Sequence, residues 1–176
     1  MKITNEQAEY LLQLPKKVVN KEELLDKLSI DQKFPFNARY ELISESDIEF
    51  TFLWEIKQSS KNKIKISLHH QENDSKTGIF RIDYNGSHTN PMTANEFVPE
   101  KYHPFVGKYF NNEHHVHYYV EGYKPLAWAI PLSADEFEIK DLGNKSDFNI
   151  TFAKVIVEFA KAINLKTIIT VNPLLI

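Results

Sequence analysis

Three segments between residues 48 and 84 alternate apolar with polar side chains, and short turns separate them. The longest, Ile48 to Lys57, has an apolar residue at every second position: Ile48, Phe50, Phe52, Trp54 and Ile56. Lys63 to His70 and Ile79 to Tyr84 repeat the pattern. Successive side chains of a strand point to opposite faces, so a period of two predicts strands. The connections are too short for a crossover helix, which makes these strands antiparallel neighbours.

Further strands continue the pattern on both sides. Residues 39–43 alternate before this region, and His115 to Glu121 and Leu126 to Ile130 alternate after it, on either side of a Gly-Tyr-Lys-Pro turn. Together these segments predict about six strands in meander order. Lys166 to Val171 is one more candidate strand near the end of the chain.

Helical signals stand near both ends of the chain. Capping-box spacing at Thr4 and again at Asn20 predicts two N-terminal helices. Pro15 ends or kinks the first, and the second, which contains three leucines, is expected to end near Ser29. From Asn149 to Ile163, apolar residues recur every three or four positions, which predicts a long C-terminal helix.

These elements predict an α+β fold in one domain spanning residues 1–176. We expect a curved antiparallel meander of about six strands, with the N-terminal helices and the long C-terminal helix packed on one face. Trp54 and Trp128 are expected in the core. Residues 85–113 are rich in proline and aromatic residues and show little periodicity, which predicts a packed loop that covers the sheet like a lid.

The composition of the chain excludes several classes of function. A net charge of -3 and a pI near 6.2 argue against a protein that coats nucleic acid by bulk electrostatics. The absence of cysteine excludes disulfides and thiolate metal sites. The sequence shows no apolar segment of signal-peptide type or of membrane-spanning length, so we expect a cytoplasmic protein that does not contact a membrane.

One turn concentrates positive charge. Lys57, Lys61, Lys63 and Lys65 lie on or beside the connection between two predicted strands. In one interpretation they keep a solvated turn soluble. In the other, Lys63 and Lys65 bind the phosphate backbone of a nucleic acid.

All seven histidines fall between His69 and His117. On the predicted strands, Arg81 and Asp83 share one face, and His115, His117 and Tyr119 share another. If the two faces coincide, these side chains form a polar cup. Half-buried strands also carry structural histidines, and an Arg–Asp pair can be a surface ion pair. The clustering nevertheless favours a functional site.

The cup fits two kinds of chemistry. A His-x-His strand begins many zinc and iron sites, and the set for such an ion would be His115, His117, His88 and Asp83. Without a metal, histidines near neutral pKa can share the proton transfers of phosphodiester cleavage, while an arginine binds the phosphoryl oxygens. No G-x-S-x-G elbow, Walker loop or G-x-G-x-x-G sequence is present to indicate serine hydrolase or nucleotide-binding chemistry.

Two runs of residues resemble a known signature. Arg81-Ile82-Asp83-Tyr84-Asn85-Gly86-Ser87-His88, followed by His114-His115-Val116-His117, resembles the R-x-D-N-x-x-H and H-H-x-H signature of the TumE-like toxins. Residues 78–132 as a whole are similar to a bacterial and phage-borne family to which no function is assigned. The toxin resemblance implies roles for six residues, His114 among them, and a helix-turn-helix antitoxin as partner.

The sequence therefore predicts a toxin-like enzyme that cleaves RNA or DNA without a metal or other cofactor, a ribonuclease-type toxin. His115, His117, His88, Asp83 and Tyr119 are the predicted catalytic residues. The predicted substrate-binding residues are Arg81, His114, Lys63 and Lys65. The alternative is a non-catalytic binding protein of a mobile element, whose histidine cluster holds zinc, iron or a partner.

Overall fold

The computed structural model describes residues 3–173, which form an α+β fold dominated by strands. The helices and strands follow in this order: α1 (Asn5–Gln13), β1 (Lys17–Asn20), β2 (Glu23–Leu25), β3 (Lys27–Asp31), β4 (Asn37–Ile43), β5 (Thr51–Gln58), β6 (Ile66–Glu72), β7 (Thr77–Thr89), β8 (Tyr109–Tyr118), β9 (Trp128–Pro131), α2 (Phe148–Ala162) and β10 (Ile168–Asn172). Short 3₁₀ helices span Glu100–Phe105 and Leu132–Ala134.

Eight strands form one open antiparallel sheet in the order β2-β1-β4-β5-β6-β7-β8-β9. From β4 to β9 each strand pairs with the next in sequence, so the predicted six-strand meander is present. The predicted total of about six strands was too low, because β1 and β2 extend the sheet beyond β4.

The second predicted N-terminal helix is wrong. Its residues form β2 and β3, and Asn20 pairs with Glu23 across a tight turn instead of capping a helix. Lys21 and Glu22 form this turn with positive φ angles of 48° and 70°. Such angles at both central residues suit a two-residue hairpin and are incompatible with the first turn of a helix. The capping box at Thr4, in contrast, is confirmed.

The predicted lid at residues 85–113 is partly wrong. β7 continues to Thr89 and β8 already begins at Tyr109, which leaves only the intervening residues without strands. The pairing of β7 with β8 shifts register between Asp83 and Gly86, and this bulge interrupts the period of two. Alternation in the sequence therefore ends near residue 84, although the strand itself continues.

Two predicted strands begin later than their patterns. β5 begins at Thr51 and β6 at Ile66, which leaves Ile48 and Ile64 on exposed connections. Both isoleucines were expected on the buried face. The sheet residues that follow them, from Phe52 and Ile66 onward, take the expected alternation.

One face of the sheet carries the core. Trp54 and Trp128 are fully buried, as predicted. Phe159 of α2 stacks on Trp54 and on Phe80, with ring centroids 6.3 and 5.1 Å apart, and so anchors this helix to that face. The buried residues of α1 join the same hydrophobic cluster. Both helices therefore cover one face, and the opposite face is left for other side chains.

A second sheet has two strands, β3 and β10. β10 pairs with β3 in parallel, so the predicted C-terminal strand is present with a distant partner. Next to it, the ammonium group of Lys16 donates hydrogen bonds to the carbonyls of Leu12, Leu14 and Ile163. This fully buried lysine joins the C-terminal ends of α1 and α2.

No helix within residues 3–173 is both long and apolar enough to cross a membrane.

Candidate functional site

The two polar faces expected from the sequence coincide in the sheet. Arg81 of β7 pairs with His117 of β8, and Asp83 pairs with His115. These positions alternate with Ile82 and Val116, which are fully buried in the core. The polar residues therefore lie on the face of the sheet opposite the helices.

The bulge in β7 brings a third histidine to the same place. Beyond the register shift after Asp83, His88 pairs with Phe110 of β8. The His88 ring lies edge-on to the His117 ring, with centroids 4.6 Å apart, and the His115 and His117 centroids are 4.9 Å apart. We call the five residues Arg81, Asp83, His88, His115 and His117 the Asp83 cluster.

Gly86 makes the close packing at the bulge possible. A Cβ atom at this position would lie 2.7 Å from Cβ of Asp83 and 2.8 Å from Cε1 of His115. Neither distance is compatible with a side chain, so the position requires glycine for lack of space.

The Asp83 carboxylate is the centre of the cluster and is 5% exposed. Its Oδ1 accepts a hydrogen bond of 3.0 Å from Nη2 of Arg81, and its Oδ2 lies 2.8 Å from Nε of the same side chain. The same Oδ2 is 3.2 Å from Nε2 of His117 and 3.5 Å from Nε2 of His115. Burial by itself raises the pKa of Asp83, but the positive charges of Arg81 and of His117 in its protonated form outweigh it and hold that pKa well below its ordinary value.

Backbone carbonyls fix the tautomers of the three histidines. Nδ1 of His115 lies 2.9 Å from the Glu113 carbonyl, and Nδ1 of His117 lies 2.9 Å from the Leu126 carbonyl. Nε2 of His88 is 2.9 Å from the Ala127 carbonyl. A carbonyl oxygen only accepts, so each of these ring nitrogens carries a proton and donates it. In a neutral ring the other nitrogen is then an unprotonated acceptor.

The remaining nitrogens of His115 and His117 are buried. Among the residues that the structure describes, neither Nε2 atom has a partner with hydrogen-bond geometry. Burial, and after it the nearby His117, lowers the pKa of His115 to about 4, so this ring is neutral at pH 7. Burial and His117 also lower the pKa of His88.

The cluster borders an open pocket of about 470 Å³. Arg81, Asp83, His88 and His117 line it, whereas His115 lies behind them, next to the ring of Phe110. The turn before β7 contributes Lys76 to the wall. Lys76 and Arg81 are the two lysine or arginine side chains among the described lining residues, and Asp83 is the one carboxylate among them.

Besides His115, four predicted site residues do not line this pocket, and these four lie away from the Asp83 cluster. They are Tyr119, His114, Lys63 and Lys65. The Tyr119 hydroxyl donates to the Ile3 carbonyl, and its ring lines a separate small pocket beside α1. His114 accepts a hydrogen bond from the Asn85 amide and packs against Tyr84, on the other face of β8. The Lys63 ammonium lies over the ring of Phe148 at 5.6 Å, and Lys65 is exposed.

The structure also adds residues that sequence reasoning missed. Lys76 enters the pocket from a turn, and Leu126 and Ala127 contribute only backbone carbonyls, which carry no sequence signal. The Asn85-Gly86 pair reads as an ordinary tight turn, although Gly86 is part of β7. A glycine inside a strand pattern indicates a bulge or a close approach, and this signal could have identified Gly86.

Comparisons with known proteins give one match. A family model whose description is "family of unknown function (DUF6978)" matches residues 3–165. No curated protein and no solved structure matches the chain. The matched range contains the whole Asp83 cluster and the complete eight-stranded sheet. The resemblance to the toxin family stays a prediction.

Proposed function

The chain belongs to DUF6978, a family of unknown function, and we propose that it is an enzyme that cleaves phosphodiester bonds in nucleic acid. One observation carries this proposal. Two cationic side chains and three imidazoles, those of His69, His88 and His117, line one open pocket whose single lining carboxylate is already paired with an arginine. Such a pocket favours an anionic substrate beside groups that can transfer protons.

Arg81 and Lys76 are the proposed phosphate-binding residues. The Arg81 side chain is 42% exposed although it contacts Asp83, so part of its guanidinium faces the pocket. Arginine donors match the oxygens of a phosphate group, and a lysine adds a point charge. Asp83 fixes the orientation of Arg81, which reduces the entropy lost when substrate binds.

His88 and His117 are the proposed proton carriers, since their rings border the pocket. In RNA cleavage a base removes the proton of the 2′-hydroxyl, and its oxygen forms a bond to phosphorus. The bond from phosphorus to the 5′-oxygen then breaks, and an acid gives that oxygen a proton. The reaction consumes no water and no oxidant, so the pocket has only to bind phosphate and move protons. A helix-turn-helix antitoxin partner, which the resemblance implies, belongs to the same proposal.

Cleavage of labelled single-stranded RNA and DNA oligonucleotides tests the proposal. We expect the wild type to cleave RNA and Arg81→Gln to reduce kcat/KM about 100-fold, because the phosphate loses a donor that is held in place before binding. Lys76→Gln should raise KM more than it lowers kcat.

The matched control is His114→Ala, which removes a neighbouring histidine whose ring lies on the other face of β8. Its activity should stay within about threefold of the wild type. Intact RNA after incubation with folded wild type contradicts the proposal. Equal rates for wild type and Arg81→Gln contradict the assigned role of Arg81.

A further inference from the structure

The geometry points to a divalent metal ion held by Oδ2 of Asp83 and by the Nε2 atoms of His115 and His117. This inference goes beyond the proposed cleavage, because the ion can be measured without any substrate. It is argued from the direction, burial and spacing of three ligand atoms that lie within 4.8 Å of one another.

The Nε2 atoms of the two imidazoles converge on one oxygen atom of Asp83. Nδ1 of each ring is committed as a donor to a backbone carbonyl, of Glu113 for His115 and of Leu126 for His117. In the neutral form of either ring Nε2 is then the unprotonated nitrogen, and both Nε2 atoms face the same oxygen of Asp83. Acceptors that face an acceptor repel one another, and a cation between them converts this repulsion into attraction.

Protonation of both rings would also remove the repulsion between these acceptors, but less favourably than a metal ion. Two imidazolium ions and the Arg81 guanidinium would then surround one carboxylate in a place where His115 is fully buried and His117 is 3% exposed. The excess positive charge would lack solvent and a second counter-ion, which is unfavourable for buried groups. One metal ion satisfies both nitrogens and the carboxylate oxygen at once.

The spacing also fits an ion. Three ligand atoms that each lie about 2.1 Å from one metal are roughly 3.0 to 3.4 Å apart in octahedral or tetrahedral geometry. The two distances from Oδ2 of Asp83, 3.2 Å to His117 and 3.5 Å to His115, are close to this range. The third separation, between the two Nε2 atoms, is within 4.8 Å, so the rings move toward one another where that separation exceeds the range.

The groups around the three ligands hold them by hydrogen bonds, as the groups around metal ligands do in known metal sites. Metal-bound histidines usually donate their second nitrogen to a carbonyl or carboxylate, as both rings do here. Arg81 contacts both oxygens of Asp83, with Nη2 at Oδ1 and Nε 2.8 Å from Oδ2, and so fixes the carboxylate with Oδ2 facing the histidines. His88 was part of the conditional ligand set from the sequence, but its nitrogens fall outside the compact group of three.

Two imidazoles and one carboxylate select a first-row divalent ion such as Zn²⁺ or Fe²⁺, not Mg²⁺ or Ca²⁺. Asp83 and His117 line the pocket, so an ion held by them would lie at its wall. When bound, the ion supplies Lewis-acid chemistry at a phosphoryl oxygen or a coordinated hydroxyl. His117 is then a ligand, and His88 is left as the imidazole that transfers protons in the pocket.

The test uses the full chain without an affinity tag that binds metal. Metal content after purification is measured by mass spectrometry, and chelator-treated protein is titrated calorimetrically with Zn²⁺, Fe²⁺ or Mg²⁺. We expect one Zn²⁺ or Fe²⁺ per chain and no binding of Mg²⁺. Asp83→Asn and His115→Ala should weaken binding at least about 100-fold. His114→Ala, at the neighbouring position, should bind like the wild type.

Circular dichroism of each metal-free variant verifies the fold, and a Co²⁺ absorption spectrum gives a second readout of the ligands. The inference is overturned if folded wild type binds no Zn²⁺ or Fe²⁺ stoichiometrically, or if His114→Ala loses binding as much as His115→Ala. A metal-binding protein that leaves RNA intact contradicts the proposed cleavage and supports the ion. Undiminished cleavage by metal-free protein removes the ion from the reaction and supports cleavage without it.

Discussion

Asp83 contacts the arginine and both buried histidines of its cluster. Both oxygens contact the Arg81 guanidinium, and Oδ2 also faces two imidazole nitrogens. A carboxylate in this position links phosphate binding to the chemistry of the histidines. Replacing it therefore affects both functions, and for this reason the arginine and histidine variants are tested separately.

Gly86 provides a prediction at the scale of one residue. Gly86→Ala places a methyl group 2.7 Å from Cβ of Asp83 and 2.8 Å from Cε1 of His115, so both side chains must move. We expect a loss of about 1 to 3 kcal/mol in the free energy of unfolding. Metal affinity should fall at least about tenfold, because two ligands shift together.

Denaturant titration and calorimetry measure the two effects of Gly86→Ala. The control is Ser87→Ala, at an exposed neighbouring position, which should change neither quantity appreciably. Wild-type metal affinity in Gly86→Ala would show that the ligand positions do not depend on this close approach.

At the scale of elements, the connection between β8 and β9 determines the state of the histidines. Its Leu126 and Ala127 carbonyls bind His117 and His88, and the Leu126 side chain packs where a Cβ on Gly78 would otherwise lie. The connection thus fixes two rings through backbone atoms alone. The strands bring the histidines together, and this connection decides which ring nitrogens remain available.

Lys16 provides the prediction for the two helices. Its Nζ donates to three carbonyls at the ends of α1 and α2. Lys16→Met leaves these buried carbonyls without a donor and should reduce the free energy of unfolding by about 3 kcal/mol. Lys17→Met, which removes only partly exposed ion pairs, should cost under about 1 kcal/mol in the same denaturant titration.

The same lysine should make stability depend on pH. Burial lowers the pKa of Lys16 to about 7, against 10.5 for an ordinary lysine. Between these values the unfolded chain binds more protons than the folded one, so stability rises with pH, by at most about 1.4 kcal/mol per pH unit. The difference between wild type and Lys16→Met should therefore increase from pH 7 to pH 10, and a constant difference would contradict the lowered pKa.

At the scale of the whole molecule, the sheet separates stability from chemistry. The helices and the large aromatic side chains lie on one face, and the Asp83 cluster lies on the other. A core substitution should therefore weaken folding and leave the site intact while the chain remains folded. Substitutions can therefore change folding stability and the chemistry of the Asp83 cluster independently.

Phe159→Ala tests this separation. Phe159 is fully buried and stacks on Trp54 and Phe80, so its truncation should reduce the free energy of unfolding by about 3 to 5 kcal/mol. Metal affinity at a temperature where the variant is folded should change less than about threefold. A large loss of affinity in the folded variant would mean that the core side of the sheet also controls the ligands.

The fold was largely predictable where its signals are local. Alternation identified β4 to β9, capping spacing identified α1, and the period of 3.6 identified α2. Alternation also indicated that Arg81 shares a face with Asp83 and His115 with His117. The residues from Asn20 to Ser29 were misassigned because leucines at helical spacing also fit two short strands, and the strand partners were not visible locally.

The amino-acid sequence by itself determined which residues alternate, and so which side chains lie on the polar face of each strand. Only the tertiary structure decided that β3 pairs with β10, that a bulge brings His88 to His117, and that the β8–β9 connection binds two rings. The physical reason is the distance along the chain between the groups that interact. Periodicity arises between neighbours along the chain, whereas strand pairing, bulges and carbonyl contacts depend on groups that only folding brings together.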